Sequence, residues 1–518
     1  MSDVRTATME LLRELRMTTI FGNPGSTELP MFRDFPPDFR YVLGLQESVV
    51  LGMADGYAQA TGRAALVNLH ATAGTGHALG NLFTASKNQT PLVVTAGQQA
   101  RSILPFEPFL FAERPTEFPR PFVKWAVEPA RAEDVPGAIA RAFVVAMQPP
   151  RGPTFVSIPI DDWERPCAPV PVPRAGATNP GDPALLAEAA ALLAQAKTPV
   201  LVVGAGVARD QGWDRAIALA ERHQAPVHVA PFSARCSFPE NHPLFAGFLE
   251  PRREAIVAAL SGHDVIVALG GPLSLYHVEG HGPHLPDGAT TVFIADNPAH
   301  VSWAPCDLGI VADAGHALAA LLAGPAPALR PAPAPRPPAP PVDPAVLTDR
   351  LVFARLAALR PANAIIVEEA PTARGPMHDH LPILAPDSFY TCASGGLGHG
   401  LPAAVGLALA QPDRRVVAVL GDGSAMYAIQ GLWSAAQPGL AINFIILNNR
   451  RYEALRGFGR LFGMQTVAGT DLSGLDFCGL AEAQGIAASR VDRAADVDAA
   501  LAWSFAATGP TLVEMMIA

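Results

Sequence analysis

RRVVAVLGDGSAMYAIQGLWSAAQ, residues 414–437, and AINFIILNNR, residues 441–450, decide how this chain is read. Arg414 to Leu420 reads as a buried parallel strand, a near-continuous apolar run closed by glycine. Gly421-Asp422-Gly423-Ser424 then reads as a turn opening a helix, because SAMYAIQGLWSAAQ carries helical periodicity. Backbone N–H groups at a helix start favour an anion, and glycines let phosphate oxygens come close. Asp422 can hold a hard cation. Ala441 to Leu447 reads as a second strand delivering Asn449, whose amide oxygen can meet the same ion. Magnesium takes about six oxygens at roughly 2.1 Å, so two side chains, a backbone carbonyl, two phosphate oxygens and a water complete its shell. The pattern points to a magnesium-bound diphosphate, with an ordinary strand-turn-helix as the plain alternative.

The composition agrees with a large soluble enzyme but does not by itself identify one. With 518 residues, 49% hydrophobic and 16% charged, the chain can bury extensive cores in two to four domains. A formal charge of −10 and the lack of a basic run argue against a nucleic-acid partner. The start, MSDVRTATMELLRELR, reads as an amphipathic helix and not a signal peptide, and no apolar run has membrane length. Five scattered cysteines, Cys167, Cys236, Cys306, Cys392 and Cys478, show neither metal spacing nor a disulfide framework, which fits a reducing cytoplasm.

Two proline-rich stretches, Arg165 to Pro183 and Pro325 to Pro344, divide the chain; the second reads as a linker, since proline lacks a donor and restricts its neighbour. Each remaining piece alternates strand and helix patterns. The fold expected is therefore α/β, three doubly wound Rossmann-like domains over residues 1–180, 181–342 and 343–518. In the middle piece Gly204 and Gly206 follow a strand, but Arg209 takes the third glycine position of GxGxxG, so a structural turn is preferred to a nucleotide site. His277, His281 and His284 have a spacing that would suggest zinc on a helix. Gly280, Gly282 and Pro283 make the stretch a loop, and zinc is disfavoured.

The strand–GDGS–helix–strand–Asn-Asn order is joined by Gly22-Asn23-Pro24-Gly25-Ser26, LGLQES around Glu47, MADGYAQATG, LVNLH ending at His70, PRPFVKWAVEPA (Pro119 to Ala130) and ASGGLG (Ala393 to Gly398). Together these resemble the thiamine diphosphate-dependent 2-oxo acid decarboxylases, of the benzoylformate decarboxylase type, over essentially the whole chain. A 2-oxo acid loses carbon dioxide with difficulty, because the electron pair left behind sits on an acyl carbanion; thiamine diphosphate supplies the electron sink.

The resemblance assigns roles residue by residue. It implies that Glu47 hydrogen-bonds the aminopyrimidine ring and promotes cofactor deprotonation; by local sequence alone, a solvated glutamate at a helix start is the plainer reading. Leu397 would lie under the bent cofactor, the Gly395 carbonyl would receive the pyrimidine amino group, and Thr372, Gly421, Gly423, Ser424 and Tyr452 would border the diphosphate end. The Arg451 carbonyl would join Asp422 and Asn449 around Mg2+, with Ca2+ as a substitute. Ser26 would position substrate, His70 would help form the covalent adduct and His281 would protonate the enamine. Locally, Ser26 reads equally as an N-cap, and His70 as a structural histidine ending a strand before a glycine-rich turn.

Pyruvate and indolepyruvate decarboxylases carry an adjacent histidine pair and a glutamate three residues after the tyrosine that follows Asn-Asn. Here His70 and His77 are separated, and Leu455 stands at that spacing after Tyr452. Ala454 and Phe458 match the apolar pocket of the benzoylformate type. Pro371, Thr391 and Glu453 depart from it, standing in place of threonine, phenylalanine and glycine. The expectation is a cytoplasmic homotetramer with active sites between subunits, decarboxylating an aromatic 2-oxo acid to an aldehyde, with carboligation as a side activity. An acyloin-forming or acyloin-cleaving lyase of the same cofactor class, and a degenerate non-enzymatic homologue, are the alternatives.

Overall fold

Runs of wholly buried residues, such as Leu92–Gln98 and Ala65–Leu69, form parallel strands, as a sheet covered on both faces requires. The computed structural model describes residues 2–172 and 175–517, so residues 173 and 174 of the first proline-rich stretch lie outside the described residues. The chain divides into two units, one of residues 1–176, 343–374 and 394–518, the other of 177–342 and 375–393. The fold is α/β, built on three parallel sheets.

The first sheet runs, edge to edge, Arg40–Leu43, Thr19–Gly22, Ala65–Leu69, Leu92–Gln98, Thr154–Pro159 and Ala126–Val127. Its strand order reverses between Thr19–Gly22 and Ala65–Leu69. At such a switch point the loops leaving the strand ends diverge and open a crevice; Asn23 to Ser26 leave one of these strands and His70 the other. In the same unit Ile365–Glu369, Val416–Gly421, Ile442–Asn448, Thr511–Met516 and Ala487–Val491 lie side by side, all parallel. The first three of these carry Thr372, Gly421 to Ser424 and Asn449 at or just beyond their C-terminal ends.

Within this unit the helices Glu47–Thr61 and Gly400–Ala410 pack together on small residues. A Cβ on Gly52 would lie 2.5 Å from Pro402 Cγ, and one on Gly56 or Gly406 would overlap the backbone of Ala403 or Met53. Gly406→Ala should therefore destabilise the protein by about 1–3 kcal/mol through overpacking, although glycine to alanine inside a free helix gains roughly 0.5–1 kcal/mol. The urea midpoint decides; a rise would show that the two backbones do not need this contact.

The second unit has its own sheet, in the order Leu308–Val311, Thr290–Ala295, Val265–Leu269, Pro199–Val203, Val227–Val229 and Phe245–Phe248. Gly204 and Gly206 lie at its switch point, where the Gly206 N–H donates to the Gly270 carbonyl (2.7 Å) and a Cβ on Gly204 would lie 2.6 Å from Gly271 Cα. Here the glycines let two backbones meet. The segment 375–393 is tied to this unit by Arg235, which lies 4.2 Å over the Tyr390 ring and pairs with Asp387, and by His378, stacked on Phe248 at 3.9 Å.

Residues 325–344 contain neither helix nor strand. Arg330 nevertheless pins the stretch by donating to the carbonyls of Leu193, Ala194, Ala196 and His223 at 2.7–3.0 Å. Two local expectations need correction. The periodicity after the GDGS turn gives two short helices, Asp422–Met426 and Gly431–Ala436, and not one. The glycine-rich ATAGTGHALG is no turn but the start of the helix Ala71–Asn88. No helix among the described residues is long and apolar enough to cross a membrane.

Candidate active site

Two groups of the predicted residues assemble in the first unit. At the C-terminal sheet, Asp422 begins a short helix at the end of Val416–Gly421 and is only 4% exposed. Its Oδ1 accepts the Gly423 N–H (2.7 Å) and its Oδ2 the Arg451 N–H (3.2 Å), while Asn449 Oδ1 also accepts the Arg451 N–H (3.0 Å). The carboxylate and amide oxygens thus converge on one point beside Arg451. Burial pushes the Asp422 pKa up, against hydrogen bonds from Gly423 and Arg451 that lower it. A cation there would offset the burial, so the donor set suits a hard divalent ion and a diphosphate.

The neighbouring backbone is open at Gly421, where a Cβ would meet nothing nearer than Ser424 Oγ at 3.7 Å, and close-packed at Gly423. A Cβ on Gly423 would run into the Tyr452 ring, and Tyr452 itself is raised in pKa by burial and by Tyr427. Ser424 is buried and Thr372 exposed, each just past its strand end. Arg450, at φ +60, takes the left-handed turn that brings Arg451 round to Asp422. Behind this loop, Asn448 Nδ2 donates to Glu514 Oε1 (2.6 Å), fixing the residue next to Asn449. Gly395 and Gly398 adopt φ of +72 and +94, which shape the loop carrying Leu397, and the Gly395 position is open to solvent.

The second group sits at the N-terminal sheet. Glu47 opens its helix behind Gln46, whose side chain caps the N–H groups of Ser48 and Val49. It is not the solvated glutamate that local sequence favoured: it is 8% exposed, with Oε1 accepting from Asn23 Nδ2 (3.2 Å) and Oε2 bonded to His77 Nδ1 (3.0 Å). A Cβ on Gly74 would lie 3.3 Å from Glu47 and 3.4 Å from His70, so the two flank that glycine. His70 Nδ1 meets buried Glu28 Oε2 (2.9 Å) and Thr27 Oγ1 (3.2 Å). Glu28 holds that ring nitrogen and leaves Nε2 as the one that can exchange a proton. Ala71, immediately after, is forced to φ +40, a strained non-glycine conformation of the kind found at functional sites.

Ser26 is exposed in the adjoining turn and caps no helix, since the next helix, Leu29–Phe32, has Glu28 at its cap with no side-chain bond. Glu28 and His77 were missed by sequence reasoning, and spacing gave no signal for either contact.

Ala454 and Phe458 lie one turn apart on the helix Glu453–Leu461, on a shared face, and Phe458 stacks with Phe462. Glu453, the departure beside them, is held by Arg451 Nε (2.8 Å) and Arg460 Nη2 (2.8 Å); Arg460 most of all lowers its pKa. Pro371 is exposed next to Thr372. His281 and Thr391 belong to the second unit. His281 is exposed on a loop fixed by its own N–H to Glu254 Oε1 (2.6 Å) and by Arg253 Nη1 to the Gly282 carbonyl (3.1 Å). Thr391 is buried, its N–H on the Ala234 carbonyl (3.0 Å).

Three family descriptions match the chain: Thiamine pyrophosphate enzyme, N-terminal TPP binding domain, over residues 2–112; central domain, over 186–321; and C-terminal TPP binding domain, over 373–515. Benzoylformate decarboxylase of Pseudomonas aeruginosa is 44% identical over 99% of this chain and 99% of its own length. Acetolactate synthase of Arthrospira platensis is 27% identical, covering 99% and 93%. Among solved structures, benzoylformate decarboxylase from Polynucleobacter necessarius matches with a TM-score of 0.97 at 39% identity, covering 100% of this chain and 99% of that one. The thiamine diphosphate-dependent 4-hydroxybenzoylformate decarboxylase of Rhodococcus jostii matches with a TM-score of 0.96 at 41% identity and the same coverage. With a diphosphate-type loop, a buried glutamate and this likeness along its whole length, the chain belongs to the thiamine pyrophosphate enzymes, in the benzoylformate decarboxylase family.

Proposed function

We propose that this protein decarboxylates an aromatic 2-oxo acid to an aldehyde and carbon dioxide, with thiamine diphosphate and Mg2+. The convergence of Asp422 and Asn449 oxygens beside Arg451, in a chain 44% identical to a benzoylformate decarboxylase, carries the reading. Bound at this site, thiamine diphosphate supplies the electron sink for the bond that releases carbon dioxide. The chain's own residues supply binding and proton transfer. Asp422, Asn449 and the Arg451 carbonyl hold the cation, and Gly421, Gly423, Ser424 and Thr372 take the diphosphate. Glu47 holds a proton at the pyrimidine ring, His70 exchanges one through Nε2 during substrate addition, and His281 delivers one after carbon dioxide leaves. Ser26 orients the substrate carboxylate.

Catalysis in this scheme takes place between subunits of a homotetramer, with Glu47 from one chain and the Asp422 group from another, in the cytoplasm. The identity of 44% to a decarboxylase, against 25–30% to acetolactate synthases, favours decarboxylation over acyloin chemistry as the main activity.

A panel of 2-oxo acids with product identification tests the reading. The face carrying Ala454 and Phe458 suits a phenyl ring, and Glu453 is drawn away from it by two arginines. Replacing a methyl by a phenyl buries roughly 100 Å2 more apolar surface, which at about 25 cal/mol per Å2 is about 2.5 kcal/mol, or roughly 70-fold in kcat/KM. Benzoylformate should therefore exceed pyruvate by about that factor, and Ala454→Ile should narrow the gap. A native preference for pyruvate would remove the aromatic assignment while leaving the cofactor assignment standing.

A further inference from the structure

Three ionisable side chains without a role above are buried together in the first unit: Asp55, His399 and Glu369, at 0%, 0% and 2% exposure. Asp55 lies in the helix that Glu47 opens. Its Oδ2 accepts from Gln59 Nε2 (2.8 Å) and Asn88 Nδ2 (3.0 Å) and meets His399 Nε2. His399 caps the helix Gly400–Ala410 and directly follows Gly398. Glu369, ending the strand Ile365–Glu369, accepts the Gly398 N–H on Oε1 (2.5 Å) and the Gly400 N–H on Oε2 (2.6 Å). One carboxylate therefore grips the residues on either side of the histidine, while Asp55 grips the histidine.

Burying three such groups is costly, and apolar residues of similar volume would fold as well or better. What the arrangement gains is position. The loop Gly395–Gly398 contains two left-handed glycines and no large polar side chain of its own. It is held by the Gly396 N–H on Ser394 Oγ (3.0 Å), by Asn81 Nδ2 on the Gly398 carbonyl (3.1 Å), and by Glu369. Of these anchors, Glu369 alone is an ionisable acceptor, and a carboxylate bonds a backbone N–H about twice as strongly as a neutral acceptor does.

We propose that Glu369, braced by the His399–Asp55 pair, is a positioning residue that sets the Gly395 carbonyl and Leu397 against the aminopyrimidine ring of the cofactor. This rests on the thiamine diphosphate reading of the loop. Burial raises the Glu369 pKa to about 7, against the Gly400 and Gly398 N–H groups and His399, which lower it. His399 is itself raised, because Asp55 and Glu369 outweigh the effect of burial. The adjacent Glu368 points to Arg374 Nε (2.7 Å) and the Ala370 N–H (2.6 Å). A protonated Glu369 loses acceptor strength on one oxygen, so the loop should loosen as pH falls through about 7.

Glu369→Gln keeps the shape but turns an NH2 group toward one of the two backbone donors. The full-length protein, loaded and stripped of metal and cofactor, is compared with wild type by amide hydrogen exchange over residues 394–401. Exchange should quicken at least tenfold there and stay unchanged in Ile442–Asn448. In the loaded variant, deuterium exchange at the thiazolium carbon should slow at least tenfold, while thiamine diphosphate affinity, anchored at Asp422, shifts less than threefold. His399→Phe should move both exchange rates the same way by less. In wild type, loop protection corrected for intrinsic exchange should fall between pH 8 and pH 6, and this arm decides alone if the glutamine variant does not fold. Unchanged loop exchange in the variant or across that pH range overturns the proposal, and so does a loosened loop with unaltered thiazolium exchange. Failure of the cofactor reading would appear separately, as wild type that binds no thiamine diphosphate.

Discussion

Asp422→Ala is expected to weaken thiamine diphosphate binding in the presence of Mg2+ by roughly 30- to 4,000-fold, while leaving the apo fold intact. The range corresponds to about 2–5 kcal/mol, the usual loss when one partner of a desolvated charge pair is removed. Asn449 and the Arg451 carbonyl, both neutral, cannot replace a carboxylate as counter-charge to a divalent ion. The apo protein should respond in the opposite sense. Burial raises the folded pKa of Asp422 above its unfolded value, so folding stability from this group is full below the unfolded pKa and is lost as pH rises through the folded one. At neutral pH the ionised aspartate is a liability until a cation arrives, and alanine should leave the apo melting temperature unchanged or higher. Calorimetric titration and thermal melts with and without Mg2+ measure both arms. A holoprotein of wild-type affinity would remove Asp422 from the metal site.

The same balance explains what could and could not be read from residues alone. The strand Val416–Gly421, the GDGS turn and the strand Ile442–Asn448 are local, and their chemistry is adjacent in sequence, so the converging oxygens of Asp422 and Asn449 were foreseeable. The helix Ala71–Asn88 was not, because three of its first ten residues are glycine, which disfavours helix by about 1 kcal/mol each. Tertiary packing reverses that penalty: Gly74 admits Glu47 and Gly76 faces Phe118, and a side chain at Gly74 would crowd the glutamate. Glu28 beneath His70, His77 on Glu47, and Asp55 on His399 join residues 42, 30 and 344 positions apart. No periodicity encodes such pairs, since each depends on how the tertiary fold packs separate helices and loops against one another. The interruption at Tyr427–Gln430 was equally hidden, lying within a stretch whose apolar spacing continues across it.

Glu47→Gln is expected to slow deuterium exchange at the thiazolium carbon of the bound cofactor by roughly 10^2- to 10^4-fold, the usual contribution of a positioned acid–base group. The substitution is close to isosteric, so its effect can be assigned to the lost carboxylate. Asn23 donates to Oε1 and His77 meets Oε2, which hold the carboxyl in one plane at the helix start, with Gly74 behind it leaving the space it occupies. Glutamine can keep the Asn23 bond through its carbonyl, but it offers an NH2 where the ring would find a carboxyl that shares its proton. Thiamine diphosphate affinity should change less than threefold, because the diphosphate and cation are held by the Asp422 group on another sheet. That contrast separates the two variants: Asp422→Ala acts on binding, Glu47→Gln on deprotonation after binding. An unchanged exchange rate in a fully loaded Glu47→Gln enzyme would mean that another base generates the reactive cofactor. His77, already 3.0 Å from the same carboxylate, would then be the first residue to test.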